Sequence, residues 1–171
     1  MDLFICFPHE SKDVMNVHRP TIMTQQVCRE RGNMTENRIE KAVLNHRSGY
    51  NCSQAVACAF CDKAGVSEEL IFQITEGYGF GMGCMEGVCG ALSGAAAIAG
   101  LKVHQMDLPA GKRRKEIYRM NTEILKRFRE KNKSIICKEL KGIGTGKILR
   151  ECPGCVADAA ELVETVVFDS K

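Results

Sequence analysis

The stretch that most constrains this chain runs from Glu76 to Val103, reading EGYGFGMGCMEGVCGALSGAAAIAGLKV. Glycine alternates at Gly77, Gly79, Gly81 and Gly83, and Cys89, Gly90, Ser93 and Gly94 then follow at helical spacing. Glycines can take positive φ and let other groups approach the backbone. Gly90, Ala91, Gly94, Ala95 and Ala97 leave little side-chain volume, so something must pack very near them. The pattern predicts a flexible loop that delivers the Cys89 thiol to the start of a tightly packed helix spanning about Gly87 to Val103.

The rest of the chain carries apolar stripes with a 3.6-residue period and short loops. Thr35 can cap a helix whose stripe is Ile39, Ala42, Val43 and His46, closed by Ser48-Gly49. Asn51 caps a second helix, expected from Cys52 to Ala64 and closed by Gly65. Ser67 starts a third. Pro109, Ala110 and Gly111 break the chain before a long amphipathic helix bearing Ile117, Met120, Ile124 and Phe128. Ile135 to Leu140 make a short helical piece, and Gly142, Gly144 and Gly146 make a second glycine loop. The last helix starts at Cys152-Pro153. No strand alternation occurs, so the expected fold is an all-α compact bundle of about five to seven helices with glycine-rich loops. Residues 1–33 lack a sustained apolar period and read as a poorly ordered N-terminal extension, with 34–171 as the single helical domain. The peptide Arg29-Glu30-Arg31-Gly32 resembles a translated ribosome-binding site, which makes Met34 a candidate translation start.

Composition narrows the function classes. The net charge is +3 and Trp is absent. Glutamates punctuate the basic runs at Lys112–Lys115 and Lys126–Lys133, so a nucleic-acid surface is not expected. The longest apolar run, Val88 to Leu101, is shorter than the roughly 20 residues of a spanning helix, and the N-terminus does not read as a secretory signal. Ten cysteines in 171 residues, in a chain expected in a reducing cytoplasm, argue for metal binding or redox chemistry over structural bridges. No Ser/His/Asp set, phosphate loop or carboxylate pair stands out, and His46 and His104 read as surface or capping residues.

The cysteines divide into groups. Cys58 and Cys61 sit in mid-helix and read as small buried apolar residues. Cys52 lies just inside a helix start, and Cys89 near one, where unpaired N–H groups and the dipole favour a thiolate. Cys152-Pro153-Gly154-Cys155 resembles the redox motif of thiol–disulfide oxidoreductases, without the βαβ context that normally surrounds it. Cys137 stands alone in its segment. Cys52, Cys89, Cys137 and one of Cys152 and Cys155 come from four separate segments, and four thiolates are what an iron–sulfur cluster or tetrahedral zinc needs. The two Cys-x2-Cys pairs are spaced too far apart for a zinc ribbon, so zinc is the weaker expectation.

Together, Cys52-Ser-Gln-Ala-Val, Gly-Met-Gly-Cys-Met-Glu-Gly-Val followed by Cys89-Gly90-Ala91-Leu92-Ser93-Gly94, Cys137-Lys-Glu-Leu and Cys152-Pro-Gly-Cys-Val-Ala-Asp-Ala-Ala resemble the C-GCAxxG-C-C family of redox-active proteins over roughly Met34 to Val166. The resemblance implies cytoplasmic proteins of prokaryotic anaerobes with four characteristic cysteines, no assigned reaction, and genes lying near those of membrane transporters. It maps Cys52, Cys89 and Cys137 directly and favours Cys152 as the fourth metal-binding position, with Cys155 open. A distant similarity to split-Soret cytochromes brings an iron–sulfur centre into view. Their c-type haem is not carried over, because no Cys-x-x-Cys-His is present. The expected function is therefore an iron–sulfur protein for electron transfer or redox sensing, with an unidentified electron-transfer partner. The alternatives are a thiol–disulfide oxidoreductase using Cys152 and Cys155, and a zinc-binding or structural partner of a transporter. Gly90 and Gly94 would permit close helix contact within the chain or across a homodimer.

Overall fold

Helix α1, Arg38–Arg47, begins the described part of the chain, which in this computed structural model is residues 37–169. The expected extension, the start at Met34 and the Thr35 position lie outside the described residues. The cap of α1 is Asn37, whose side-chain oxygen accepts from the N–H groups of Ile39 and Glu40. The helices that follow are α2 (Cys52–Ala59), α3 (Glu68–Thr75), α4 (Gly90–His104), α5 (Ala110–Asn132), α6 (Cys137–Leu140) and α7 (Cys152–Leu162), the last running on into a wider π turn, Val163–Phe168. Among the described residues there is no sheet, and the all-α expectation holds.

Local chemistry sets most of these boundaries. Asn51 and Gln54 form a reciprocal capping box at the start of α2, satisfying donors that a helix end leaves open. Ser67 caps α3, Pro109 precedes α5, and Pro153 sits in the first turn of α7, where its missing N–H costs nothing. Helix α2 ends at Ala59, short of the expected Ala64. The Ala59 carbonyl is taken by the Arg38 guanidinium at 2.9 Å, which also grips Asp62 through two bonds. The chain from Phe60 to Val66 consequently turns back as a tight series of bends.

Helix α2 is central. Every residue from Ser53 to Phe60 is buried, packed by α4, α1, α3 and α7. Such enclosure requires small side chains, and α2 and α4 supply them. They come into close contact at Gly94, where an added Cβ would fall 2.4 Å from the Ser53 carbonyl oxygen. The close contact expected of Gly90 and Gly94 is thus made inside the chain. Ala91, Ala95, Ile98, Ala99 and Val103 carry the buried face of α4 onward, and Met120, Ile124 and Phe128 of α5 close the core. No helix among the described residues is long and apolar enough to cross a membrane.

The glycine segment is neither a loose loop nor the start of α4. After a 3-10 turn at Glu76–Tyr78, Phe80, Gly81, Met82 and Gly83 all take positive φ, from 55° to 78°. They form a single left-handed turn closed by Gly83 N–H donating to the Gly79 carbonyl at 2.9 Å. For Phe80 and Met82 this geometry costs about 1 kcal/mol or more each. Met85 N–H to the Phe80 carbonyl (2.8 Å) and Gly87 N–H to the Gly81 carbonyl (3.2 Å) hold it in place. Helix α4 begins at Gly90 because Gly87–Cys89 is extended and paired with Ile135–Cys137: Val88 lies antiparallel to Ile136, Cys89 N–H donates to the Ile135 carbonyl, and Cys137 N–H donates to the Gly87 carbonyl.

Candidate functional site

Four helices start at one place, and each start carries a cysteine. Cys52 is the first residue of α2, Cys89 is the N-cap of α4, Cys137 opens α6 and Cys152 opens α7. The thiols of Cys52 and Cys152 are in hydrogen-bond contact, as are those of Cys89 and Cys155 one turn along α7. Cys137 lies within the electrostatic reach of Cys89 and Cys152. The short antiparallel pairing between Gly87–Cys89 and Ile135–Cys137 brings two of these starts together, and the Gly94–Ser53 contact brings a third. Cys89, Cys137 and Cys155 are buried, whereas Cys52 and Cys152 are half-buried and form the accessible edge.

The left-handed turn covers this group. At Gly81 a Cβ would lie 2.6 Å from the Cys137 Cβ, so only glycine lets the turn sit against that cysteine. At Gly90 a Cβ would lie 2.9 Å from the Tyr78 carbonyl and 3.4 Å from the Cys52 Cβ. Lys138 N–H donates to the Met85 carbonyl, and its ammonium pairs with Glu86, fastening the turn onto α6.

The electrostatics favour the anion at two of the five sulfurs, Cys152 and Cys89, and disfavour it at Cys52, Cys137 and Cys155. The hydrogen bond from Cys52 holds the Cys152 thiol down to about 5, against the opposing effect of burial and with help from the charges of Lys141 and His46. Its partner Cys52 is pushed up by the same contact, by burial and by the surrounding thiols. Cys89 is lowered by its hydrogen bond with Cys155 despite burial, and the N–H groups of Ala91 and Leu92 at the helix start add to the effect. Cys155 moves up correspondingly. Burial pushes Cys137 up to about 11, with the charges of Cys89 and Cys152 adding and Lys141 opposing. In each contact pair one thiol is shifted down, Cys152 and Cys89, and its partner up, Cys52 and Cys155.

Two further residues belong to this edge: Lys141, which no sequence motif singled out, and His46, expected as a surface or capping residue. Lys141 places its Nζ 3.4 Å from the Cys152 sulfur, and His46 Nε2 lies 3.8 Å from the Cys52 sulfur. The helical i,i+4 spacing of Cys137 and Lys141 was the available signal for the first. Nothing local announces the second, since the Ser48-Gly49 turn folds His46 back toward Cys52. Both Cys152 and Cys155 are in the group, so the choice between them does not decide membership. Cys58 and Cys61 are elsewhere, buried near Tyr50 and Glu68 with their thiols pushed up chiefly by burial, Cys61 to about 11. Cys84 is exposed, with its thiol 3.6 Å from the Gly81 carbonyl.

Helix α7 is anchored just behind its cysteines by Asp158, whose side chain is 4% exposed and receives Arg150 through two bonds of 2.9 and 3.0 Å and Lys131 at 2.9 Å. Burial alone would raise this carboxyl, but the bonds from Lys131 and Arg150 outweigh it and hold Asp158 below its ordinary value. A depressed carboxyl stabilises the fold above its unfolded-state value, and that contribution disappears as pH falls through the folded one. Asp158→Asn is expected to cost about 2–4 kcal/mol at pH 7 and progressively less as pH falls below the ordinary carboxylate value, as at pH 3. Urea unfolding of both proteins at the two pH values checks this; an equal loss at both would show that packing, not charge, matters there.

Among the described residues no set of three or more His, Cys, Asp or Glu side chains stands in an arrangement that would hold a single metal ion. A search of curated proteins and one of solved structures each give no match. Residues 50–166 match the family model described as Putative redox-active protein (C_GCAxxG_C_C), a span that takes in all five gathered cysteines and the CGAxxG segment at Cys89–Gly94, and the chain belongs to that family.

Proposed function

We propose that the gathered thiols form a redox centre that holds an iron–sulfur cluster on Cys52, Cys89, Cys137 and Cys152, for electron transfer or redox sensing. The observation that carries this reading is the convergence of four helix N-termini, each bearing one of those cysteines. One thiolate needs one helix start; four starts aimed together suit a centre of several negative charges. The donor set fits: thiolates from four separate elements are what both common cluster types require. When bound, such a cluster supplies one-electron chemistry. The chain's own residues tune it: Lys141 and the N–H groups at the α4 start favour negative charge, the left-handed turn covers Cys137, and burial of Cys89 and Cys137 limits water.

A second reading has its own support in the contact between Cys52 and Cys152, one anionic and one protonated. In it, the Cys152 thiolate attacks a substrate disulfide and expels one thiolate. Cys52 then displaces the second, leaving a Cys52–Cys152 disulfide and two substrate thiols. The Cys152–Cys155 couple expected from the Cys-Pro-Gly-Cys spacing is the alternative, with the Cys155 side chain in contact with Cys89.

Differential alkylation with site-resolved mass spectrometry separates the readings. After anaerobic reconstitution with iron and sulfide, a cluster shields Cys52, Cys89, Cys137 and Cys152 as a block, and Cys58 is unaffected by reconstitution. Shielding of Cys52 and Cys152 alone, appearing on mild oxidation and reversed by a dithiol reductant, contradicts the cluster and supports disulfide exchange.

A further inference from the structure

We propose that the outward face of α4 is the interface of a homodimer, with α3 of each protomer lying over α5 of its partner. This is independent of what the thiol centre holds. Helix α4 packs on α2 along one side, and an open apolar groove runs along each flank of its other side. The first groove, about 310 Å³, is lined by Leu70 and Ile74 of α3 and by Ala96, Ala97 and Gly100 of α4. The second, about 230 Å³, is lined by Leu92 and Ala96 of α4 and by Asn121 and Leu125 of α5. Ala96 belongs to both, so the grooves adjoin along a floor of small side chains. Their walls are large and stand out: Leu70 and Ile74 are each 49% exposed, and Tyr118, on the same row of α5 as Asn121 and Leu125, is 63% exposed. A Cβ at Gly100 would meet nothing within 4 Å. Contiguous exposed apolar surface of this kind marks an interaction site.

Charge identifies the occupant. The chain from Ala64 to Leu101 contains Glu68, Glu69, Glu76 and Glu86 and no Lys or Arg. Helix α5 is basic, and Arg114 and Arg129 share the row of Tyr118, Asn121 and Leu125 beside the second groove. An apolar strip with acid on one flank and base on the other is complementary to itself when turned about a two-fold axis running along α4. A polyanion would meet the glutamates of α3, whereas a second copy satisfies both flanks at once. Tyr and Arg are also the residue types enriched where such interfaces bind most tightly. The ends of the helices match as well. Gly65 comes against Gln105 and Tyr78 against Gly90, so α3 runs antiparallel to α4. Helix α5 does too, since it starts shortly after α4 ends and brings Leu125 into the same groove as Leu92. Glu69 and Arg114 therefore stand near the same end of α4, and the two-fold axis sets Glu69 of one protomer against the partner's Arg114.

Sedimentation equilibrium of the full chain tests this, under a dithiol reductant that removes disulfide-linked copies. The parent is expected at twice its chain mass of 18.9 kDa at about 100 µM, above the dissociation constant of a specific interface of standard size. Ala96→Glu sets two carboxylates near the axis and is expected to give a monomer with an unchanged circular dichroism spectrum. Glu69→Arg and Arg114→Glu are each expected to weaken the dimer about tenfold, because each change occurs twice in a two-fold interface. The double variant, with the charges exchanged, is expected to return to within about threefold of the parent. A monomeric parent, or a dimer that Ala96→Glu leaves intact, overturns the proposal, and so does a double variant no tighter than the weaker single one. Glu69 and Arg114 are both exposed, so the charge exchange decides the matter even if Ala96→Glu fails to fold.

Discussion

Gly94→Ala is expected to destabilise the protein by about 3 kcal/mol, more than any other single methyl added to α4. The new Cβ would stand 2.4 Å from the Ser53 carbonyl oxygen and 3.2 Å from the Ser53 carbonyl carbon and Cα. These are backbone atoms of a helix buried on all sides, so they cannot rotate away as a side chain would. Relief requires α2 and α4 to separate, and overpacking of this kind costs roughly 1–3 kcal/mol or more. Gly100→Ala is the internal control. It lies on the same helix, and its added Cβ meets nothing within 4 Å, so the change should stabilise by about 0.5–1 kcal/mol through helix propensity. Thermal unfolding should place Gly94→Ala roughly 10 °C below the parent and Gly100→Ala slightly above it. Loss of stability in both would mean that helix geometry, rather than the Ser53 contact, governs.

The consequence extends to the site, because the same contact positions Cys52. Cys52 opens α2 one residue before Ser53, and Cys89 caps α4 one residue before Gly90. Separating the helices therefore separates Cys52 from Cys89 and the thiols beyond it. Gly94→Ala should lose cluster content along with stability, and Gly90→Leu, crowding the Tyr78 carbonyl and Cys52, should do so more severely.

The elements with local causes were readable from sequence. Asn51, Ser67, Pro109 and Pro153 announce helix starts through their own chemistry, and the 3.6-residue stripes of α5 identify its buried face. Cys52, Cys89 and Cys152 were each visible at a helix start. Features with distant causes were not readable. The early end of α2 depends on Arg38 reaching Ala59 from another helix. The delayed start of α4 depends on two extended segments pairing at Val88 and Ile136. The left-handed turn runs against the preferences of Phe80 and Met82, so no propensity argument finds it; only the fastening of the turn to Lys138 and Cys137 explains it. The division of the thiols into the pairs Cys52–Cys152 and Cys89–Cys155 is likewise a product of tertiary packing, and spacing along the chain contains no trace of it.

The second large effect concerns the thiols themselves. Replacing any one of Cys52, Cys89, Cys137 or Cys152 by serine removes a thiolate from a set of four, so cluster content should fall to a small fraction of the parent's. Cys58→Ala should leave it unchanged, because Cys58 is buried near Tyr50 and Glu68 and away from the converging helix starts. Cys155→Ser is informative in a different way. If Cys155 serves only to share a proton with Cys89, its loss should preserve the cluster while altering its stability to oxidation.

The most direct test of the account is the iron and acid-labile sulfide content of the full chain purified or reconstituted without oxygen. The account predicts iron and sulfide in equal, stoichiometric amounts, with visible absorbance that is lost in Cys89→Ser and retained in Cys58→Ala. Colourless protein with neither iron nor sulfide after anaerobic reconstitution would contradict it.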